Sequence, residues 1–214
     1  MEAKVKNKTK IAYEYILSRI ESGVYGPGYR IVIDQIAREL NLSSIPVREA
    51  IRQLEAEGWI QYKPYTGAVV SNINEKEYVE TLSVLAVLEG YATALSSSNM
   101  KEGTIQQLTK LNEKMEQALH EFEFELFSEL NYEFHSLIYE HCGNAYLEEQ
   151  IKQIWQRMRR IRAYGFTFVP QRAKESIKEH TEIVRLLKEK APPNEIEHFV
   201  RQHKLNTVEA FKQR

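Results

Sequence analysis

Three histidines and an asparagine are the residues of this chain whose types and spacing suit chemistry. Asn131 and His135 stand four apart in a stretch with helical period, which sets both on one helix face. His180 and His203 fall in the middles of two later stretches of the same kind. A helical bundle turns such positions inward. Three neutral imidazoles with one oxygen donor make a ligand set for zinc, nickel or another divalent transition metal, with coordination positions left open. His120, His141 and His198 match nothing and read as structural or surface residues. Cys142 is the single cysteine, so no internal disulfide forms and the usage suits a reducing cytoplasm. Its neighbour His141 points elsewhere on a helix, and the thiol reads as buried or inert.

The elements that must position these residues occupy 75–214. Nearly everything there has helical period, punctuated by Gly103, Gly143, Gly165, Pro170, Pro192 and Pro193. The pattern predicts six helices, at about 75–98, 103–120, 122–141, 145–164, 170–190 and 193–212. With no internal repeat they make a bundle and not a solenoid. Gly143 suits the position just past a helix end, and Asn144 suits a cap on the next helix.

The first third has another texture. Residues 8–22 read as an amphipathic helix with Ile11, Ala12, Tyr15, Ile16, Arg19 and Ile20 on its packing stripe, stopped by Gly23 and the Gly26-Pro27-Gly28 cluster. Tyr29 to Ile33 alternates like a short strand. Ile36, Ala37 and Leu40 give a short helix face, and Asn41-Leu42-Ser43-Ser44 supplies a turn and a helix N-cap. A second helix follows, with Val47, Ala50, Ile51 and Leu54 at packing positions, Pro46 in its first turn and Gly58 at its end. Trp59 to Tyr62 and Ala68 to Val70 then read as a hairpin. This is a helix-turn-helix with a wing, the arrangement that presents the N-terminal residues of a second helix to the DNA major groove. Ser71-Asn72-Ile73-Asn74 is the linker. The fold class is therefore mainly α, with a winged helix-turn-helix domain over 1–73 and an all-α six-helix bundle over 74–214.

Composition agrees with two modest domains. Of 214 residues, 43% are hydrophobic, enough for a real core, and the charged 28% are mixed in sign. No apolar run approaches the roughly 18 residues that span a membrane, and Met1 to Lys10 is polar and basic where a secretory leader would be apolar. A cytoplasmic protein is expected. Residues 1–72 hold 10 Lys and Arg against 8 Asp and Glu, while 73–214 hold 19 against 22. Lys4, Lys6, Lys8 and Lys10 form a basic arm able to touch phosphates. A first domain so mildly basic binds DNA poorly as one copy, so two copies on a two-fold site are expected.

The run Pro46-Val47-Arg48-Glu49-Ala50-Ile51, then Leu54-Glu55-Ala56-Glu57-Gly58, then Gly67-Ala68-Val69-Val70 resembles the winged helix of the GntR family of bacterial transcription regulators, over about residues 9–73. Leu88-Glu89, Asn131-Tyr132-Glu133-Phe134-His135 with Gly143-Asn144, Glu179-His180 and His203-Lys204-Leu205 resemble the effector-binding FCD-type bundle of its FadR subfamily, and six helices look like the VanR-type branch. The resemblance implies a homodimeric regulator, a repressor, that binds double-stranded operator DNA through Ser43, Ser44, Ile45, Arg48, Arg52 and the backbone at Gly67. It also implies a metal held by Asn131, His135, His180 and His203, which helps hold a small organic acid. Two departures matter. The usual carboxylate ligand is Asn131 here, and Leu85 stands where the family commonly has an arginine three residues before its Leu-Glu pair. Arg159 and Arg162 are the replacements expected to anchor a carboxylate effector. Ser44 and Ile45 likewise stand where the family often has Arg and Thr, so the operator preference is this chain's own. The competing class is a helical metalloenzyme using the three histidines for a hydrolytic metal; it lacks an obvious general base beside the site, although Glu133 and Glu179 are near in sequence.

Overall fold

The computed structural model describes residues 2–71, 75–162 and 170–213, with side chains from residue 7 to 71, 75 to 158 and 171 to 213. They form two compact units, one built on residues 2–71 with 159–162 and the other on 75–158 and 170–213.

The first unit runs α1 (Glu2–Glu21), α2 (Ile33–Glu39), α3 (Ser44–Ala56), β1 (Ile60–Lys63) and β2 (Gly67–Val70). Ala12, Ile16 and Ile20 of α1 are buried against Val47, Ala50, Ile51 and Leu54 of α3, with Ile36 and Ala37 of α2 closing the core. Ile11 lies outside that stripe, 44% exposed. The turn between α2 and α3 is fixed by backbone geometry. Asn41 takes a left-handed φ of 53°, Asn41 N donates to Arg38 O, and Leu42 N donates to Ala37 O at 2.8 Å. That pair of bonds closes a helix in the Schellman manner and satisfies carbonyls the helix end leaves open. Gly58 ends α3 in the same way, at φ 81°, with Trp59 N donating to Leu54 O at 2.8 Å.

Three local expectations differ. Lys4, Lys6, Lys8 and Lys10 lie within α1 and do not form an arm ahead of it. Residues 29–33 are strand-like only over Tyr29 to Ile31, where Ile31 N donates to Ala68 O and Val70 N donates to Tyr29 O, because Ile33 already opens α2. Ser43 occupies the N-cap of α3, but its side chain makes no capping bond. β1 and β2 pair antiparallel in the register Lys63 with Gly67, leaving Pro64, Tyr65 and Thr66 as the wing tip.

The second unit holds α4 (Glu75–Ser96), α5 (Glu102–His120), α6 (Phe124–Tyr139), α7 (Ala145–Arg162) up to Met158, α8 (Pro170–Lys188) and α9 (Pro193–Lys212). α4 is the central helix, buried at Tyr78, Leu82, Leu85, Ala86, Glu89, Gly90 and Ala92. It packs along α9, and Gly90 permits the approach: a Cβ there would lie 2.8 Å from Glu197 O and 3.3 Å from Arg201 Cβ. Asn144 caps α7 as expected, its Oδ1 accepting from Leu147 N at 3.1 Å. Gly143 has the left-handed φ of 70°, but α6 has already ended at Tyr139 with Glu140 as its C-cap, so the glycine sits in the connection and not at the helix end.

Candidate functional site

The buried end of α6 meets the middles of α8 and α9 at three imidazoles. His135 is 3% exposed, His180 0% and His203 2%, and their ligand atoms all lie within 4.8 Å of one another. His180 and His203 are held through Nδ1, and His135 Nδ1 faces a buried carboxylate. His180 Nδ1 lies 3.2 Å from Asn112 Oδ1, and Asn112 Nδ2 donates to Ile177 O and Thr181 Oγ1, so the amide oxygen is the side that faces the ring. The proton therefore sits on Nδ1 of His180, and the lone pair on Nε2. That Nε2 is fully buried and has no hydrogen-bond partner. His203 Nδ1 lies 2.6 Å from the Glu179 carboxylate, and His135 Nδ1 lies 3.3 Å from Glu89 Oε2.

Nδ1 donating to a carboxylate or amide oxygen, with Nε2 turned into a common space, is the outer support that metal-binding histidines use to fix their tautomer and raise their basicity. A buried imidazole nitrogen with no partner is costly unless something else fills it. The residues fit a divalent transition metal on both counts. Burial holds His180 and His203 well below the usual histidine range; for His180 the neighbouring His203, Lys204 and Arg172 push the same way, and for His203 it is Lys204 and Arg172. Both are neutral at physiological pH, the state a metal requires. Asn131 is buried one turn before His135 on α6, as its spacing demands.

Four further residues build the site, none of them given a role by the sequence. Glu89 is 2% exposed; its Oε1 accepts from Trp155 Nε1 at 2.6 Å and its Oε2 lies 3.0 Å from Lys204 Nζ. Lys204, also buried, stands over the Trp155 ring at 4.7 Å. Asn112 orients His180, as described. Arg172 donates to His203 O at 2.7 Å, to Thr207 Oγ1 at 3.0 Å and to the Glu179 carboxylate. Glu89 and Lys204 stand inside motifs the sequence singled out; Asn112 and Arg172 carry no local signal.

The remaining expected residues divide. Leu85 is fully buried in the bundle core. The side chains of Arg159 and Arg162 lie outside the described residues. Glu133 is exposed, and Glu179 spends its two oxygens on His203, Arg172 and Asn206, so neither is poised as a base on a metal-bound water. In the first unit, Ile45, Arg48 and Arg52 lie along one exposed face of α3, with Ser43 exposed just before it and Ser44 half-buried. Gly67 has φ 87°, a backbone conformation that needs glycine at the base of the wing. Tyr65, fully exposed at the wing tip with φ 64°, is a position the sequence reading passed over.

Comparison with known proteins places both units. The family described as bacterial regulatory proteins, gntR family, matches residues 8–70, and the FCD domain family matches residues 80–205. The chain is 27% identical over 179 residues to an uncharacterized HTH-type transcriptional regulator, YdhC, of Bacillus subtilis, covering 83% of this chain and 80% of that one. It is 27% identical over 183 residues to the gluconate operon transcriptional repressor of the same organism, covering 85% and 73%. The solved structure of E. coli McbR/YncC superposes with a TM-score of 0.73 at 24% identity, over 96% of this chain and 97% of that one.

Proposed function

The chain belongs to the gntR family of bacterial transcription regulators, in the group that carries an FCD domain, and from that premise we propose how its two units share the work. It is a DNA-binding regulator, and a hydrolytic role for the histidines has no support among the relatives named above, all of which are regulators. In our reading it is a repressor of the FadR subfamily and works in the cytoplasm. No helix among the described residues is long and apolar enough to cross a membrane. The domain division falls near residue 73.

The winged unit reads the operator. Arg48 and Arg52 project from the exposed face of α3 into the major groove, where an arginine can take a base edge or a phosphate. Ser43 and Ser44 meet phosphate at the helix N-terminus, Ile45 supplies an apolar contact, and the wing follows the backbone from Gly67. The regulator acts as a homodimer. α4 leaves Val84, Val87 and Tyr91 at 53%, 42% and 47% exposure along one side, an apolar stripe that suits a second copy.

The FCD unit senses. His135, His180 and His203, with Asn131, hold a divalent transition metal, zinc or nickel, which when bound supplies a Lewis-acid site for a carboxylate effector. The observation that carries this is the close grouping of three buried imidazoles, with Nδ1 of His180 and of His203 held by oxygens while the buried Nε2 of His180 has no hydrogen-bond partner. The protein's own residues set the tautomers, exclude water and fix the ligand geometry.

Footprinting on the promoter of the operon that encodes it tests the DNA half. The wild type is expected to protect a two-fold site, and Arg48→Ala to lose that protection while keeping whatever the FCD unit binds. Protection by Arg48→Ala at physiological salt would assign DNA reading to another element.

A further inference from the structure

Tyr65 stands at the tip of the wing, fully exposed, with a left-handed φ of 64°. Aromatic L residues rarely take that conformation, which glycine or asparagine adopts at little cost. The rest of the hairpin is anchored. Ile60, Ala68, Val69 and Val70 are buried, Lys63 pairs with Gly67, Thr66 N donates to Lys63 O at 3.2 Å, and Ile31 N donates to Ala68 O. The ring therefore projects from a fixed base, and among the described residues it makes no hydrogen bond or ring contact. Phe122 also combines exposure with a left-handed φ, but its ring lies edge-on to Phe124 at 6.2 Å. An apolar group held wholly in water on a strained backbone adds nothing to the fold that carries it, so its use lies outside the chain.

The surroundings suit a polyanion. Tyr62 is 50% exposed, Lys63, Pro64 and Thr66 are exposed, and Gly58 to Asn74 contains no Asp or Glu. What the ring can do on a duplex is limited by its chemistry. It has no charge to neutralise phosphate, and its one hydroxyl is a single donor. Its strongest contact is with the face of a base, and in a duplex those faces are closed inside the stack. A side chain reaches them by parting a base step from the minor groove, which kinks the DNA. Pyrimidine–purine steps part most readily.

We propose that Tyr65 is an aromatic wedge. With α3 in the major groove, the wing tip enters the neighbouring minor groove, and the ring parts one base step there and bends the operator. Tyr65 is then a specificity residue that selects a pyrimidine–purine step by its deformability, at a position α3 does not touch. The proposal rests on the winged unit being the DNA reader.

Gel-shift titration and circular-permutation bending of the full chain, on the promoter fragment that the wild type protects, test the wedge. Tyr65→Gly removes the ring and relieves the backbone, so its urea midpoint is expected at or above that of the wild type while operator affinity falls at least about fivefold and the bend shrinks. Tyr65→Phe keeps the ring and is expected to bind and bend as the wild type does. Changing the pyrimidine–purine steps of the protected site to AA one at a time is expected to cost the wild type at least about fivefold at one step in each half-site, and Tyr65→Gly nothing at that step. Wild-type affinity in Tyr65→Gly, lost affinity with an unchanged bend, or a wild type indifferent to every step would each overturn the proposal. Tyr65→Phe as weak as Tyr65→Gly would overturn it too, by moving the contact to the hydroxyl. Should Tyr65→Gly fail to fold, Tyr65→Asn, which also accepts a positive φ, decides by the same outcomes. Arg48→Ala run alongside separates the wedge from the assignment of α3: continued binding by Arg48→Ala overturns the role of α3, and the Tyr65 variants still decide the wedge. A wild type that protects no DNA overturns both.

Discussion

Asn112 shows how a residue that touches no ligand can set what a ligand meets. Its amide oxygen takes the Nδ1 proton of His180, and its amide nitrogen is fixed by Ile177 O and Thr181 Oγ1, so the ring cannot exchange tautomers without breaking three contacts. Asn112→Ala is expected to weaken zinc binding by about 10–100-fold, the usual cost of losing such a support, while far-ultraviolet circular dichroism stays that of the wild type. Calorimetric titration with zinc checks this, and unchanged affinity would mean that His180 is not a ligand. The histidines themselves were legible because i,i+4 spacing and mid-helix placement survive in one dimension. Asn112, 68 residues from His180, and Arg172, 31 from His203, were not, because their meaning arises only when α5, α8 and α9 meet.

Helices were legible from period and breakers, and several ends fell where the pattern set them, at Glu75, His120, Ala145 and Lys212. The expected starts and stops at Gly58 and Pro193 hold, but the helix expected from 122 starts at Phe124 and the one expected to reach 190 stops at Lys188. Both errors have one cause. Phe122 and Lys190 take left-handed φ values of 62° and 52°, and each closes the preceding helix in the Schellman manner, with Glu123 N on Ala118 O at 2.8 Å and Ala191 N on Leu186 O at 3.0 Å. An L residue in that region costs roughly 1–2 kcal/mol, part of which glycine would return after its larger unfolded-state entropy. Lys190→Gly is therefore expected to stabilise the protein by up to about 1 kcal/mol, and Lys190→Val to destabilise it, read as opposite shifts in the urea midpoint. The reverse case is Gly90, where helical φ needs no glycine but the backbone of α9 does. A Cβ at 2.8 Å from Glu197 O forces two helices apart, so Gly90→Ala is expected to cost roughly 1–3 kcal/mol despite its better helix propensity. A urea midpoint equal to the wild type's would show that α4 and α9 have room to move.

At the scale of the whole molecule, a weakly charged reader and a charged sensor must be joined by energy and not by proximity. The winged part carries a formal balance of +2 from its 10 basic and 8 acidic residues, so its nonspecific attraction to DNA is modest and its operator affinity is open to adjustment by a small term. An effector can shift that affinity only by as much as it prefers one arrangement of the regulator over another. Couplings of this kind are about 1–3 kcal/mol, or roughly 5–150-fold in affinity. Linkage makes the effect mutual: a carboxylate that weakens operator binding by some factor must itself be bound more weakly, by the same factor, when operator is present. The measurement is a pair of titrations on the zinc-loaded chain, operator with and without saturating carboxylate, then carboxylate with and without saturating operator. Equal factors between about 5 and 150 are expected. A factor of one in both, with each ligand still binding, would leave the sensor bundle intact and disconnect it from the winged helix, and the regulatory mechanism would have to be sought in the number of copies on the DNA instead.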